Sequence, residues 1–250
     1  MQASRIAELL DPFLGPPDAR RLAPDAFDRI STYIDLLQRW NARINLTAIR
    51  NEEEIVTRHF GESLFAARRL FPLQKNNSED APPLSRCMRQ GRDFELPAGA
   101  DIAPSNPPTE ANQGDVTVAD VGSGAGFPGI PIKLWAPEIS LTLIESNHKK
   151  ATFLREVARA LTLTDVNIQT TRAESLSNLE FEVVTLRAVE RFELTLPIAA
   201  GLLAREGRLA LLIGESQLSQ AHSLLPSLNW SAGIPIPHSK ARVLAIATNP

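Results

Sequence analysis

Cysteine is nearly missing from this sequence, and the single Cys87 leaves no internal disulfide and no spaced Cys/His set of the zinc-binding kind. No apolar run approaches the ~20 residues of a membrane span. Met1 to Leu14 is interrupted by Arg5, Glu8 and Asp11, so the apolar stretch of a secretory leader is absent as well. These absences predict a cytoplasmic protein with no metal and no membrane partner. Positive charge is not in excess either. Lys and Arg total 26 against 29 Asp and Glu, a net charge of −3, which is not the basic domain that binds nucleic acid by bulk charge. Any contact with RNA has to be made by local groups. No internal repeat is found.

What is present is an ordinary globular composition, 43% hydrophobic and 22% charged, over 250 residues. That length predicts one principal domain with room for an appended subdomain. Phe27, Ile30, Ile34, Leu37 and Trp40 recur at three- and four-residue steps and predict a helix over 25–40. A second helix is predicted from Asn51 towards Leu70, with Glu54 three residues after the cap as in a capping box. Residues 1–73 thus read as a helical extension. From Gln74 to Gly114, prolines 82, 83, 97, 104, 107 and 108 stand among Asn, Ser, Gly and Asp, the composition of a disordered insertion.

From 115 to 250 strands and helices alternate. Strands are predicted at Val116–Val121, Leu141–Glu145, Val166–Thr170, Phe181–Leu186, Arg208–Ile213 and Arg242–Thr248. Such alternation predicts an α/β fold, a mostly parallel sheet with flanking helices. Ser146 is the expected N-cap of a helix that turns Phe153, Leu154, Val157, Ala158 and Leu161 to the sheet and Lys149, Lys150, Arg155 and Arg159 outward. Gly207 is expected to end a later helix. Pro235 and Pro237 predict a long loop before the last strand.

The most informative stretch is Asp120-Val-Gly-Ser-Gly-Ala-Gly-Phe-Pro-Gly129, between a β-branched strand and the apolar run Ile130–Trp135. Four glycines in eight residues let the backbone approach a ligand closely, beside N–H groups that favour polar or anionic groups. Gly124, Gly126 and Gly129 also satisfy dinucleotide spacing, and Glu145 lies where the ribose carboxylate is expected. Glu145 suits any adenosine-containing ligand. Asp120, two residues before Gly122, and Pro128, which removes an N–H that a pyrophosphate would use, favour S-adenosylmethionine. A dinucleotide-dependent oxidoreductase and a non-catalytic nucleotide- or RNA-binding protein remain alternatives.

At these residues the sequence resembles the bacterial 16S ribosomal RNA guanine-N7 methyltransferases, the glucose-inhibited division protein B family. The resemblance extends to Trp40-Asn41, Asn45 to Ile49, Arg58-His59-Phe60, Asp120 to Pro131, Thr171 to Glu174, and Arg187-Ala188-Val189. It implies a Rossmann-like class I methyltransferase sheet, S-adenosylmethionine as the methyl source and 16S rRNA within a small-subunit particle as partner. It also implies that Gly122 and Phe127 line the donor pocket, that Ala173 and Glu174 border the adenine, and that Arg187 stands beside donor and substrate as the catalytic candidate. Phe127 could instead be core, Glu174 a local cap, and Arg187 the partner of Glu190. Arg58, Arg68, Arg69, Lys149 and Lys150 are candidates for phosphate contacts or simply solvated charges. The sequence departs from the family's pattern in the 74–114 insertion, in Ile213 where a lysine is usual, and in Gly61-Glu62-Ser63, where aspartate usually precedes the serine. A cysteine nucleophile is disfavoured because Cys87 lies in the proline-rich stretch, and Asn106-Pro107-Pro108-Thr109 only partly matches an amino-methyltransferase motif.

Overall fold

The computed structural model describes residues 1–15, 22–23, 25–72, 115–188 and 191–250. Cys87, Asn106 to Thr109, the rest of the proline-rich stretch, Val189 and Glu190 lie outside the described residues.

Helix α1 (Ala3–Leu14) and helix α2 (Ala26–Asn41) each bury one stripe, Ile6, Leu10 and Phe13 on the first and Ile30, Tyr33, Ile34 and Leu37 on the second. The next helical rod starts as predicted: the Asn51 side chain accepts from the Glu54 N–H at 3.0 Å. It runs through α3 (Glu52–Glu54), a π-helical stretch (Ile55–Gly61) and α4 (Glu62–Leu70). Gly61 has no room for a side chain, since a Cβ there would come within 2.7 Å of the Phe13 ring. Helix α1 can therefore lie close against the rod.

The sheet strands are β1 (Thr117–Val121), β2 (Ser140–Ile144), β3 (Val166–Gln169), β4 (Phe181–Arg187), β5 (Leu203–Gly214), β6 (Asn229–Trp230), β7 (Ile234–Pro235) and β8 (Arg242–Thr248). Their order is β3-β2-β1-β4-β5-β8-β6, with β7 also on β8, and β1 to β5 are parallel while β8 runs antiparallel to β5. Between them lie helices α5 (Gly129–Trp135), α6 (His148–Ala160), α7 (Phe192–Ala200) and α8 (Leu218–Leu224). Successive strand residues face opposite ways. Val118, Leu141, Leu143, Val183 and Leu212 join the core made with α1, α2, α4, α5 and α6, whereas Ala119, Val121, Ile144, Val184 and Leu211 join the core made with α7 and α8. Each fully buried large side chain, such as Trp135 or Tyr33, contributes about 1.5–3 kcal/mol. Among the described residues no helix is long and apolar enough to cross a membrane.

Two expectations are corrected. Gly207 does not end a helix: α7 stops at Ala200 before Gly201, and Gly207 lies within β5. The pairing of β4 with β5 slips between Phe181 and Val183, so that residues 204–207 bulge and Gly207 sits where a Cβ would be 2.8 Å from the Ala204 carbonyl oxygen. A glycine at a strand bulge thus mimics a helix-ending glycine in sequence. The segment before the last strand is not all loop either, because Ile234–Pro235 pairs with Leu244 and Val243, an edge position that tolerates proline.

Candidate functional site

The glycine loop leaves β1 and folds over the end of β2. The N–H groups of Gly122 and Ser123 both donate to the Ile144 carbonyl, at 2.9 and 3.1 Å. Gly122, Gly124 and Gly126 have φ of +69°, +57° and +87°, a region where a Cβ is strained. Asp120 lies beneath this loop. Its carboxylate accepts from the Gly129 N–H at 3.2 Å and the Thr185 hydroxyl at 2.9 Å, joining the loop to α5 and β4. Burial raises its pKa to about 6 against those hydrogen bonds.

A cavity of about 840 Å³ opens above the loop at the C-terminal ends of β1, β2 and β4. This is the place where open α/β sheets take ligands. Glu145, one residue past β2, lies in its wall and is 7% exposed. Its two carboxylate oxygens accept from the N–H groups of Gly124 at 2.9 Å and Asn147 at 2.7 Å. The cap of α6 is Asn147 and not Ser146: the Asn147 side chain accepts from Lys149 and Lys150 N–H groups at 2.9 and 3.2 Å. The one-residue shift leaves Ser146 to line the cavity.

The N-terminal helices supply the facing wall. Asn41 shapes the chain after α2, accepting from the N–H groups of Leu46 and Thr47 at 2.9 and 3.1 Å and donating to the Thr47 carbonyl at 2.9 Å. Leu46, Thr47 and Ala48 thereby reach the cavity. Phe127 also lines it and is sandwiched between Tyr33, stacked at 5.3 Å, and His59, stacked at 4.7 Å. Tyr33 donates its hydroxyl to the Ala125 carbonyl, tying α2 to the glycine loop. Phe127 is thus both packed and cavity-lining.

Arg187, at the end of β4, lines the cavity but is largely committed to the chain itself. It donates to the carbonyls of Arg58 at 2.6 Å and His59 at 3.4 Å, in the π-helical stretch, and pairs with Glu62 at 3.1 Å. Arg242 from β8 meets the same Glu62 oxygen at 2.9 Å. Burial lowers the Arg187 pKa to about 10, so the guanidinium is still charged at neutral pH. Its observed partner is Glu62, and Glu190 lies outside the described residues.

Of the residues singled out in the sequence, Gly122, Gly124, Phe127, Glu145, Ala173, Glu174 and Arg187 line this one cavity. Asp120 and Gly126 do not. Asp120 supports the loop from below, and Gly126 faces Tyr33, Ile130 and Leu154 behind it. Ile213 is buried in the α7 and α8 core, with no cation at that position. Lys150 reaches the cavity, whereas Arg58 is paired to Glu54 at 2.9 Å and the Arg68 and Arg69 guanidiniums lie 5.4 and 5.3 Å from the Phe65 ring centre. Arg172 and Arg191 also line the cavity, the latter carrying no motif that would have marked it.

The model of the GidB family, rRNA small subunit methyltransferase G, matches residues 27–78 and 106–235. The chain belongs to this family. It is 37% identical over 190 residues to the ribosomal RNA small subunit methyltransferase G of Halorhodospira halophila, a match covering 76% of this chain and 70% of that protein. To the protein of the same name from Chloroflexus aggregans it is 31% identical over 239 residues, covering 91% of this chain and 83% of the relative. A solved structure of a ribosomal protein L11 methylase from Lactobacillus delbrueckii subsp. bulgaricus is similar, with a TM-score of 0.47, 22% identity and coverage of 54% of this chain and 71% of that one. The two relatives of 37% and 31% identity are named as methyltransferases, not as oxidoreductases or non-catalytic binding proteins.

In this family member His59 is held neutral. Its Nε2 is 2.7 Å from the Thr47 hydroxyl, its Nδ1 is buried without a partner, and burial, reinforced by Arg187, Arg58 and Arg242, lowers its pKa to about 3. Between pH 6.5 and 3 the unfolded chain therefore binds a proton at this residue that the folded chain refuses. Stability from His59 is full above pH 6.5 and falls as the pH drops through that window, by up to about 1.4 kcal/mol per pH unit. Asp120 works the other way between its ordinary value near 4 and about 6, where the folded chain holds the extra proton. Denaturant unfolding from pH 8 to 4 is expected to show stability falling below pH 6.5 and levelling below 6, and Asp120→Asn should make the loss continue below 6. A flat profile for both proteins would refute the assignment.

Proposed function

We propose that this chain transfers a methyl group from S-adenosylmethionine to N7 of a guanosine in 16S ribosomal RNA, within a small-subunit particle. The observation that carries the reading is Glu145 in the cavity wall, fixed by the backbone of the glycine loop and of the α6 cap. An ionised carboxylate has about four acceptor positions, so with one N–H on each oxygen Glu145 keeps capacity for two ribose hydroxyls. The residues present fit the donor in other ways as well. Gly122 and Gly124 let the backbone come close, Phe127 offers an apolar flank, and Ala173 and Glu174 at the start of a short 3-10 turn (Ala173–Leu176) would border the adenine.

Bound there, S-adenosylmethionine supplies a methyl group on a positively charged sulfur, an electrophile for a nitrogen lone pair. Guanine N7 carries such a lone pair at neutral pH. Transfer would form the N7–methyl bond as the methyl–sulfur bond breaks, leaving the electron pair on sulfur and the positive charge on the base. No proton has to leave. The chain's contribution is to hold and align the reactants and to exclude water, which accounts for a site without a general base. Lys150, Arg172 and Arg191 share the lining with Glu145 and Glu174, so the cations suited to phosphates around a base turned out of its stack are these three local ones in a chain of net charge −3.

The test is incubation of the purified protein with methyl-labelled S-adenosylmethionine and small subunits lacking the modification, followed by nucleoside analysis. Recovery of labelled 7-methylguanosine, lost with Gly122→Asp, is the expected result. That variant strains a backbone at φ +69° and adds a carboxylate near Glu145. Donor binding without label in the RNA would point to another substrate, and absence of donor binding would overturn the reading.

A further inference from the structure

A second cavity, about 150 Å³, lies beside the first at the ends of β4 and β5. Arg187 and Ala188 line both, so the two spaces adjoin. The smaller one is also walled by Phe192, Leu212, Gln217 and Arg242. At ~30 Å³ for a liquid water, its volume corresponds to about five waters, the scale of a single planar base and not of a whole nucleotide. Apolar faces and a few donors are what a base requires: a flat surface to lie on and polar groups at its edge.

Resting on the methyltransferase reading above, we infer that this smaller cavity receives the target guanine and that Arg242 recognises its O6. Adenine and guanine both present an N7 lone pair, so reactivity at N7 does not separate them. They differ at position 6, where guanine has a carbonyl acceptor and adenine an amino donor. Selection of guanine needs a fixed donor near position 6, and a guanidinium, which has no acceptor and keeps its charge, is suited to it.

Of the two arginines in this wall, Arg187 is already spent on the Arg58 and His59 carbonyls and on Glu62. Arg242 is not. Its Nη2 contacts Glu62 at 2.9 Å, its Nε is buried without a partner, and its side chain is 24% exposed. Glu62 anchors Nη2 from one side and Nε is out of a guest's reach, so the donors offered to a guest are those of Nη1, on a side chain that lines the cavity. Adenine in the same place would set its amino group against these donors and leave both unpaired, a cost of about 1–3 kcal/mol for each buried group. One carboxylate against two guanidiniums leaves this wall with a net positive charge. The product base is itself cationic, so the same wall favours its departure.

The experiment uses small subunits reconstituted with guanosine, inosine or adenosine at the modified position. Wild type, Arg242→Lys and Arg242→Met are compared for donor affinity and methyl-transfer kinetics. Wild type is expected to use guanosine and inosine within a few fold of each other, since both keep O6, and to reject adenosine. Arg242→Met is expected to lose about 10- to 100-fold in kcat/KM on guanosine, with donor affinity nearly unchanged and a smaller guanosine-to-adenosine ratio. Arg242→Lys keeps a cation for Glu62 and is expected to fold, and its ratio should fall between the two, so that it decides the matter if the methionine variant does not fold.

An unchanged guanosine-to-adenosine ratio in the folded variants would overturn the proposal, as would loss of donor affinity in step with rate. Rejection of inosine by wild type would overturn the assignment to O6. If wild type binds the donor yet labels no guanosine particle, the substrate is another one and this inference falls with the guanosine assignment; if it binds no donor, the methyltransferase reading itself fails.

Discussion

Replacing Gly126 by valine is expected to abolish donor binding and to destabilise the protein by about 2–5 kcal/mol. The first part of the cost is conformational: at φ +87° a side chain is forced into the left-handed region, at about 1–2 kcal/mol. The second is steric. A Cβ at this position would come within 2.5 Å of the Tyr33 hydroxyl and 2.6 Å of Ile130 Cδ1, and overpacking of this kind typically costs about 1–3 kcal/mol. The damage would be transmitted to the cavity because Tyr33 holds the Ala125 carbonyl, and with it the loop that carries Gly124 to Glu145. Thermal unfolding and calorimetric titration with S-adenosylmethionine check the two halves separately. Wild-type affinity at an unchanged unfolding midpoint would refute the account.

The second large effect is expected at Glu62. Glu62→Ala leaves the buried Arg187 and the part-buried Arg242 facing each other without their shared anion, and removal of one member of such a buried set costs about 3–5 kcal/mol. In a chain of this size that is a fall of roughly 10 °C in unfolding midpoint. The effect should be far from additive. Removing Arg242 as well, in Glu62→Ala/Arg242→Met, relieves the repulsion and should recover part of the loss, whereas a double variant as unstable as the sum of the two single ones would show that the charges do not act together. The carboxylate is itself disfavoured by burial, which raises its pKa against the pull of the two arginines. The triad is best regarded as a fastening whose members depend on one another rather than a net source of stability.

Much of this architecture can be read from local pattern. The alternating strands, the cap at Asn51 and the loop from Asp120 to Gly129 are local signals, each settled within a few residues by hydrophobic period, hydrogen-bonding side chains or glycine. Glu145 is nearly as local, since it follows its strand and sits at the ribose distance from the loop. What local pattern does not carry is convergence. Glu62, Arg187 and Arg242 come from α4, β4 and β8 and look like three unrelated charges along the chain. Tyr33 carries no motif that marks it, and only the packed structure shows its hydroxyl on the Ala125 carbonyl.

The π-helical stretch escapes for another reason. The buried face runs from Ile55, Val56 and Phe60 in the stretch on to Leu64 and Phe65 in α4, so widening of the turn leaves little trace in the period. It does matter for the site, because carbonyls of that stretch receive Arg187. The Ser146 and Gly207 expectations failed on close competition. Two adjacent residues could both cap α6 and the helix phase chose Asn147, while a glycine after an apolar run can mark a bulge as well as a helix end.

The aromatic sandwich has a practical consequence. Tyr33 is the only tyrosine of the sequence, and its ring lies against Phe127 in the wall of the larger cavity. Biosynthetic incorporation of 3-fluorotyrosine therefore puts a single fluorine nucleus one ring away from that cavity. Its resonance would follow occupancy of the cavity by magnetic resonance in solution, without assignment of any other signal and with no label on the RNA.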